Sequence, residues 1–456
     1  MPLPDNLLRG SAPVMPLLCK ELRDLFAGRA VWVLLLLLSP LAGSSFIQAV
    51  SLYAEASRSA AQFPELARGL SPFDGIVVPT FGALYLAATL LFPFIAIRAI
   101  GAEKQDGGLK LLLQMPYSIP WLMGAKLMAL VLAWALVLVP CLCALGIWHA
   151  LGGHLGVGET LNLLLGHFLY VLVISGIALF AAAVTDGSAT AAIVTLAFTI
   201  GFWVLDFTAA GRGGFVRDIA ALSLTAVLRN FERGIFSLAV LAGAAAAAVG
   251  LLTLAGVWLS PGLANGRKLI SSVLVVAVAA VVVLGAAQLR VYCDMTEDRR
   301  NSFPLPDAAT LARLGDRLTI TVNLAPEDPR FVDLDRSLLS KLHRTMPDVS
   351  IVVASNRSSL LGSSDDTYGL ITYKYGSREA SSRSTGAEEV LPLIYALAAI
   401  DPPARGAEAM YAGYPLVADA RKMGGWFYVA LPLLTVIGWA VQSEWLSRVR
   451  RVWNRI

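Results

Sequence analysis

Long apolar runs alternate with short polar segments along most of the chain. Eight of these runs are long enough, or nearly so, to cross a hydrocarbon layer of about 30 Å as helices. They cover residues 31–50, 76–97, 127–148, 161–184, 189–205, 235–259, 269–287 and 426–441. We therefore predict eight membrane spans, the fifth and the eighth being the shortest.

The polar segment between the second and third runs, residues 96–126, is basic. It carries Arg98, Lys104, Lys110 and Lys126. Lysine and arginine concentrate in short loops on the cytoplasmic side of a membrane. The pattern therefore predicts that this loop is cytoplasmic.

Alternation of the spans gives a topology with both termini in the cytoplasm. The other interior segments would be residues 185–188, 260–268 and 442–456, of which the last two are basic. One segment does not fit, because residues 207–234 should lie outside. It contains four arginines, Arg212, Arg217, Arg229 and Arg233. We interpret it as broken helices in the outer leaflet, which is tolerated where protein buries them.

Residues 15–29, ahead of the first run, have the pattern of an amphipathic helix. Apolar residues fall on one helical face, namely Leu18, Leu22, Leu25 and Phe26. Charged residues fall on the other, namely Lys20, Glu21, Arg23 and Asp24. The pattern predicts a helix lying on the cytoplasmic membrane surface. The alternative is a solvated leader ahead of the span.

Residues 290–425 are polar enough to form a soluble domain, which the topology places outside the cytoplasm. The sequence predicts a βαβ unit with parallel strands. Apolar and polar residues alternate over 318–324 as in a strand, residues 331–345 have a helical pattern, and a second apolar strand follows at 349–354. Further strands are expected at 368–375 and 379–384. Thr385 and Glu388 have capping-box spacing ahead of an apolar helix at 390–400. The sequence therefore predicts a small extracytoplasmic α/β domain.

The composition is typical of a membrane protein and argues against some of the functions that such a protein could have. Of 456 residues, 57% are hydrophobic and only 15% are charged. The net charge of +4 lies near span ends and indicates topology, not nucleic-acid binding. The predicted span cores contain no Asp, Glu, Lys or Arg, which argues against an ion-coupled transporter.

No motif in the chain predicts catalysis, a metal or a cofactor. There is no G-x-x-x-x-G-K-[ST] phosphate loop, so ATP hydrolysis would require another chain. His149, His154 and Glu159 are close in sequence, but their spacing favours interfacial polar residues over a metal site. His167, within the fourth run, is expected to hydrogen-bond a neighbouring helix.

The loop at 96–126 resembles the cytoplasmic loop of bacterial ABC transporter permeases of the type-2 export class. The resemblance rests on Glu103, the Gly107–Gly108 pair, residues 111–114, Met115–Pro116 and residues 124–126. It implies a coupling helix that docks on an ATPase subunit. The coupling residues implied are Glu103, Lys104, Asp106, Gly107, Gly108, Leu109, Lys110, Leu112 and Met115. The amphipathic segment resembles the family's elbow helix, with Lys20, Glu21, Leu22 and Arg23 as its residues.

The second half resembles the auxiliary component of gliding-motility ABC systems, here fused to the permease. Its juxtamembrane start is matched by Tyr292, Asp294, Thr296, Glu297 and Ser302. Residues 323–329, Tyr368–Gly369, the helix from Glu388 and residues 414–417 extend the resemblance. The outer domain is short for that family, which puts any ligand pocket of the full-length version in doubt.

The fold expected is an α-helical polytopic membrane protein, a six-span ABC exporter permease core plus two spans that carry the external domain. The expected divisions are 1–30, 31–259, 260–289, 290–425 and 426–456. The resemblance implies a permease subunit of the bacterial inner membrane, powered by two copies of a separate ABC ATPase and paired with a second half, as a homodimer.

A rival from another class remains open. In it the chain is an ABC-coupled assembly or force-transmitting protein, whose external domain binds a periplasmic partner while nothing crosses the membrane. A third hypothesis, a membrane-bound enzyme, is not supported, because the sequence offers no candidate nucleophile, metal-ligand set or acid–base pair.

Overall fold

The computed structural model describes residues 14–209, 223–289, 291–325, 328–353, 367–404 and 411–453. The chain forms two compact units. The first comprises Met1–Gly201, Leu238–Leu289 and Ala412–Ile456, and the second comprises Phe202–Ser237 and Arg290–Tyr411. Arg212, Arg217 and the rest of residues 210–222, in the middle of the proposed broken-helix segment, lie outside the described residues.

Eight helices among the described residues are long and apolar enough to cross a membrane. The predicted number of spans is therefore confirmed by length and composition. Their bounds are Ala30–Gln62, Phe73–Gln105, Ile119–Ala150, Val157–Val184, Ser188–Leu205, Leu238–Leu259, Asn265–Ala287 and Arg421–Ser443. We number them as the first to the eighth span.

The helices that begin within residues 1–201 of the first unit are labelled in chain order. They are α1 (Val14–Ala27), α2 (Ala30–Gln62), α3 (Val78–Leu90), α4 (Phe92–Gln105), α5 (Gly108–Gln114), α6 (Ile119–Val137), α7 (Val139–Ala150), α8 (Val157–Val184) and α9 (Ser188–Ala209). Short turns at Pro64–Gly69 and Phe73–Val77 connect α2 to α3. The helix predicted over residues 15–29 is confirmed as α1.

Several spans are much longer than their apolar runs. The second span has 33 residues, which corresponds to roughly 50 Å of helix against a hydrocarbon layer of about 30 Å. It breaks at Leu91, ahead of Pro93, and the third span breaks at Leu138, ahead of Pro140, because proline cannot donate the helical hydrogen bond. The second span's polar end, including Glu103, is therefore helical and not loop.

The third span begins at Ile119, eight residues before the predicted start. Lys126, expected in the loop, lies two turns inside α6 and is fully buried. The prediction that it is a loop charge is wrong, because hydropathy marks where a run becomes apolar and not where its helix begins.

A buried aromatic group forms where α2, α7 and the segment after Ala412 come together. Tyr53 and Trp148 meet edge to face with ring centroids 5.7 Å apart. The hydroxyl of Tyr53 donates to the carbonyl oxygen of Tyr414 at 2.8 Å, and the backbone N–H of Tyr414 donates to Leu70 O at 3.1 Å. The segment after Ala412, which precedes the eighth span, is therefore packed within the first unit.

The first unit also contains the last three spans. Their helices are labelled α11 (Leu238–Leu259), α12 (Asn265–Ala287) and α17 (Leu431–Trp453). A 3₁₀ turn at Arg421–Met423 and a π-helical turn at Trp426–Ala430 lead into α17. Residues after Trp453 in the predicted cytoplasmic tail lie outside the described residues.

The second unit contains two sheets. The smaller pairs β1 (Ile235–Ser237) with β2 (Tyr292–Asp294) in antiparallel fashion. The larger has strand order β4-β3-β5-β6 and consists of β3 (Leu318–Val322), β4 (Val349–Val353), β5 (Ile371–Tyr375) and β6 (Arg378–Ser382). Its β3 and β4 are parallel, so the predicted βαβ unit is confirmed. The other two pairings are antiparallel.

The helices of the second unit are α10 (Leu224–Glu232), α13 (Leu305–Leu311), α14 (Pro329–Leu334), α15 (Ser340–Thr345) and α16 (Ala387–Ala398). A π-helical turn at Asp335–Leu339 joins α14 and α15, so the helix predicted over 331–345 is one continuous stretch. One face of β3, formed by Leu318, Ile320 and Val322, is fully buried in the domain core.

Two sequence expectations need correction. The sixth span begins at Leu238 and not at Ile235, because residues 235–237 form β1. The proposed capping box does not form either. The N-cap of α16 is Gly386, which makes no side-chain cap, and the Gly386 N–H is instead satisfied by the hydroxyl of Ser384.

Candidate functional site

Lys126 is held by two carboxylates from two different helices. Its Nζ lies 2.9 Å from an oxygen of Glu21 on α1 and 2.7 Å from an oxygen of Glu103 on α4. It also donates to the carbonyl oxygen of Ala99 at 2.7 Å. One ammonium group therefore joins α1, α4 and α6.

Lys20 adds a second ammonium group to the same place. Its Nζ contacts Glu103 and lies 3.1 Å from Glu21. Burial lowers the pKa of Lys20, but the hydrogen bond to Glu103 and the charges of Glu21 and Glu103 outweigh it and raise the pKa. We call Lys20, Glu21, Glu103 and Lys126 the ion-pair cluster.

The ion-pair cluster is neutral in sum and largely withdrawn from solvent. The side chain of Lys126 is 0% exposed, Glu21 5% and Glu103 13%. Two charges of each sign compensate one another, and an uncompensated charge at such depth would cost several kcal/mol. The arrangement fixes the geometry between helices because moving any one of them separates opposite charges.

Local sequence explains how a lysine reaches this depth. Ala125 and Ala129 flank Lys126 on α6, and both are almost fully buried. The helices α1 and α6 pack against each other, and this contact brings Glu21 to the ammonium group.

The end of α4 is also fastened to the end of α8. Lys104 Nζ donates to the carbonyl oxygens of Ala183 and Thr185, both at 2.8 Å. A cation at the carbonyl end of a helix complements its dipole. Gly101 lies against Ser188, whose hydroxyl would be 2.6 Å from a Cβ at that position. Side-chain contacts therefore hold α4 from two directions.

The short helix α5 follows this anchored end. Gly107 adopts a left-handed conformation with φ of 74°, which turns the chain from α4 into α5. Leu109 and Leu112 are buried and attach α5 to the unit. The opposite side is exposed and mixed in character, and we call it the α5 outer face. It consists of Lys110, Leu111, Gln114 and Met115.

The structure divides the residues that the sequence grouped together. Lys110 and Met115 face outward, and Asp106, Gly107 and Gly108 form the turn before them. Glu103 and Lys104 point into internal contacts. In α1, Arg23 is exposed and Leu22 is half-buried, whereas Glu21 is buried and not on a solvated face as predicted. Sequence reasoning missed the role of Lys126, and its only signal was a lysine at the edge of an apolar run.

His167 departs from its prediction. It is fully buried in α8, and neither ring nitrogen has a hydrogen-bond partner among the described residues. Its ring packs against Phe81 with centroids 5.3 Å apart. The expected interhelical hydrogen bond is therefore wrong.

The residues considered for a metal site lie in other contacts. His154 stacks on Tyr414 with centroids 3.7 Å apart, and its carbonyl oxygen accepts from the Trp148 indole at 2.9 Å. Glu159 is buried beside Gly156. Within the described part of the chain, no group of three His, Cys, Asp or Glu residues is placed to hold a metal ion.

Comparison with known families gives one match. Residues 15–213 match the family described as ABC-2 family transporter protein. The match supports a permease subunit of an ABC transporter, which is a transport component and not itself catalytic. Together with the eight candidate spans it supports a multi-pass membrane protein. Comparison with curated proteins and with solved structures finds no match.

The matched segment contains α1, the ion-pair cluster and α5, and it ends before the four-stranded sheet. The family match therefore covers the candidate site. It does not extend to the β-sheet domain, for which the likeness to a gliding-motility component stays a prediction.

Proposed function

We propose that the chain is the membrane-spanning subunit of an ATP-driven exporter and that a separate ATPase subunit docks on the α5 outer face. The observation that carries the proposal is the exposed side of α5. Leu111 is 64% exposed and Met115 47% exposed, next to Lys110 and Gln114. An apolar pair with polar neighbours is typical of an interface core and its rim.

The ion-pair cluster supports a route from this surface to the spans. A docked partner that displaces α5 would act on α4, because Gly107 and Asp106 connect the two helices directly. The cluster then couples α4 to α1 and α6, and Lys104 couples α4 to α8. The connected helices would move as a rigid body, as in other domain-scale transitions.

The assembly we propose contains two copies of the ATPase and two copies of this chain as a homodimer. The basic loop that includes α5 faces the cytoplasm in this proposal, as do both termini, and the membrane is the bacterial inner membrane. The four-stranded sheet would then lie on the periplasmic side, because an odd number of spans separates it from each cytoplasmic terminus. Seven spans precede the sheet and one follows it. Sequence-based topology supports this placement.

Copurification tests the docking surface. Leu111→Arg and Met115→Arg should each lower the amount of ATPase retained by the purified chain by at least fivefold, because a charge replaces an apolar contact in the interface core. Leu66→Arg is the matched control. Leu66 is 51% exposed and lies in the turn between the first and second spans, which is on the opposite side of the membrane by alternation.

Equal retention of the ATPase by all three variants would contradict the proposed surface. Each variant must insert and elute as a single species like the unmodified chain. Reversal of Glu103 is a poorer test, since an arginine there would face Lys20 and Lys126 inside the protein. Loss of ATPase binding in the Glu103→Arg variant would not show whether the docking surface or the fold of the chain had been damaged.

A force-transmitting role is the second candidate, and the separate core of the β-sheet domain favours it. Nineteen buried hydrophobic residues from Phe303 to Leu397 form a core of their own. A domain of this kind is suited to binding a periplasmic partner. Stimulation of the ATPase rate by cargo would support export. Capture of a partner by residues 290–425, without cargo-stimulated ATP hydrolysis, would support the second role.

A further inference from the structure

The two edges of the four-stranded sheet differ in their chemistry. The strand order β4-β3-β5-β6 places β4 at one edge and β6 at the other, and both strands have five residues. The β6 edge has the sequence REASS and carries Arg378 and Glu379. The β4 edge has the sequence VSIVV and contains no charged residue, glycine or proline. Of two edges of equal length, only β6 is therefore charged.

Backbone hydrogen bonds show which residues of β4 point away from the sheet. β3 and β4 are parallel with Leu318 opposite Val349, and the Leu318 N–H donates to the carbonyl oxygen of Asp348 at 3.1 Å. In this register alternate residues of β4 bond to β3, and the others direct their backbone groups outward. The outward residues are Val349, Ile351 and Val353. Their N–H and C=O groups have no hydrogen-bond partner in the part of the chain that the structure describes.

An edge strand of this composition is a template for pairing with another strand. Natural sheets protect their edges with charged side chains, proline or bulges, because unpaired backbone groups otherwise recruit further chains. The charges of Arg378 and Glu379 protect β6 in this way, whereas β4 consists of β-branched residues and one serine. Val352 is 47% exposed on this strand. The composition of β4 therefore indicates an edge that another strand covers.

A second copy of β4 fits this edge in register and in charge. An antiparallel pair with a twofold axis at Ile351 places Val349 opposite Val353 of the second copy, and Ile351 opposite its own counterpart. This register pairs all three outward residues of both strands, whereas an axis at Ser350 or Val352 leaves some of them unpaired. Every outward pair is β-branched, which is a favourable class of cross-strand pair, and no like charges meet.

The faces of the two sheets also match across such a pair. Ile351 lies opposite the fully buried Ile320 of β3, so the outward residues have their side chains on the core face. Ser350 and Val352 lie on the other face, opposite two threonines of β3. Antiparallel pairing about Ile351 keeps each of these faces continuous from one copy to the next, because directly opposite residues share a face.

We propose that β4 is a dimerisation edge, at which two copies of this chain pair antiparallel about Ile351 and join their four-stranded sheets into one. A twofold axis brings the same surface of both copies together. Two copies inserted in one membrane in the same direction are related by such an axis along the membrane normal. The inference deepens the homodimer of the proposed function and rests on it for the second copy. It does not depend on the ATPase, because its residues all lie in the sheet.

Cysteine cross-linking of the full-length chain tests the pairing and its register. Two copies with different affinity tags are expressed in one membrane, one with Ser350→Cys and the other with Val352→Cys. The matched control pair is Glu379→Cys with Ser381→Cys on the β6 edge, where both side chains are exposed and lie on the same face of the sheet as Ser350 and Val352. All variants are made in a chain whose native cysteines are replaced by serine or alanine, namely Cys19, Cys141, Cys143 and Cys293.

Oxidation should cross-link the mixed β4 pair. The proposed register places Ser350 opposite Val352 of the second copy in a non-hydrogen-bonded pair, with Cα atoms about 4.5 Å apart, a distance that a disulfide spans. Two copies of Ser350 would be diagonal neighbours, about 7 to 8 Å apart. Either variant alone should therefore cross-link at least about tenfold more slowly than the mixture, and so should the β6 control.

Ile351→Pro tests whether backbone pairing at the edge is responsible. The N–H of Ile351 points away from β3, so proline leaves the ladder between β3 and β4 intact and removes the central donor to the second copy. Introduced into both cross-linking copies, it should abolish the disulfide. Ile351→Val keeps the N–H and the β-branched side chain, and it should leave cross-linking unchanged. Both variants must elute as a single species like the unmodified chain.

Copurification of the two tags without oxidation separates this inference from the homodimer itself. Tags that copurify without a cross-link between positions 350 and 352 would overturn the β4 pairing and assign the edge to another strand, while the homodimer stands. Tags that do not copurify would contradict both. Cross-linking of Ser350→Cys alone as fast as the mixture would overturn the register. An unchanged cross-link in the Ile351→Pro copies would overturn the backbone pairing.

Discussion

Lys126 shows how much one residue can determine about the arrangement of helices. It is fully buried in α6, and its hydrogen bonds reach two other helices, Glu21 on α1 and both Ala99 and Glu103 on α4. A buried ion pair contributes little net stability, because desolvation offsets most of the attraction. We expect its main effect to be on specificity, since sliding α1 along α6 would separate the ammonium group from Glu21.

Removing Lys126 should be strongly destabilising. Lys126→Met leaves Glu21 and Glu103 close together with only Lys20 to neutralise them. Loss of one partner of a buried pair costs about 3 to 5 kcal/mol. The free energy of unfolding, measured by denaturant titration in mixed micelles, should fall by that amount. Lys110→Met removes an exposed lysine of α5 and should change it by less than about 0.5 kcal/mol.

A second substitution separates charge from packing. Adding Glu21→Gln to Lys126→Met removes the uncompensated carboxylate and leaves Lys20 paired with Glu103. The double variant should therefore recover part of the lost stability, as residues in one network are not additive. A double variant less stable than Lys126→Met alone would contradict the charge argument.

The residues of the ion-pair cluster could not be paired from sequence alone. Glu21 and Lys126 are more than a hundred positions apart, and helical periodicity placed Glu21 on the solvated side of α1. Periodicity reports which residues share a face, but not whether a second helix covers that face. The Lys126 position became interpretable only when the start of α6 was known.

At the scale of elements, the turn into α5 depends on Gly107. Its φ of 74° lies in the left-handed region, which costs other residues about 1 to 2 kcal/mol. Gly108 is the first residue of α5 and does not have a positive φ. Of the two adjacent glycines, only Gly107 has a backbone conformation that favours glycine, although the sequence shows them as a pair.

Gly107→Ala should destabilise the turn by about 1 to 2 kcal/mol and lower ATPase retention, because α5 would leave its position beside α4. Gly108→Ala is the control and should leave both properties nearly unchanged, since a Cβ there meets no atom closer than 4.0 Å. Retention is measured by copurification and stability by thermal unfolding in detergent. Equal effects of the two substitutions would show that the left-handed turn is not what positions α5.

Elements were predicted well where a pattern of apolar residues repeats along the sequence. They were predicted poorly where a single contact determines the boundary of an element. The eight spans follow from long apolar runs, and the βαβ unit follows from the alternation of apolar and polar residues. Both signals are spread over many residues, so no single position decides the prediction. The start of the sixth span was missed because Ile235, Phe236 and Ser237 pair with β2, which lies beyond two spans in sequence. The capping box failed because the helix begins one residue later than the box requires, with Gly386 and not Thr385 as its N-cap.

At the scale of the whole molecule, the chain separates into parts of different solvent character. The spans bury their apolar side chains in part and expose many others, as in the seventh span, where Val273, Leu274 and Val281 are each more than 60% exposed. Such surface is suited to lipid. The β-sheet domain instead encloses its apolar residues in a core of its own, as a water-soluble domain does.

That core lies entirely within residues 302–404, so this fragment should fold without the spans. Its chain length is in the range of independent domains. Cooperative unfolding in urea, followed by circular dichroism, is the expected result. Ile320→Ala in the fully buried centre of β3 should cost about 2 to 5 kcal/mol, whereas Val352→Ala, 47% exposed on β4, should cost much less. A fragment without a cooperative transition would mean that the four-stranded sheet depends on β1, β2 or the membrane, and that its core does not fold on its own.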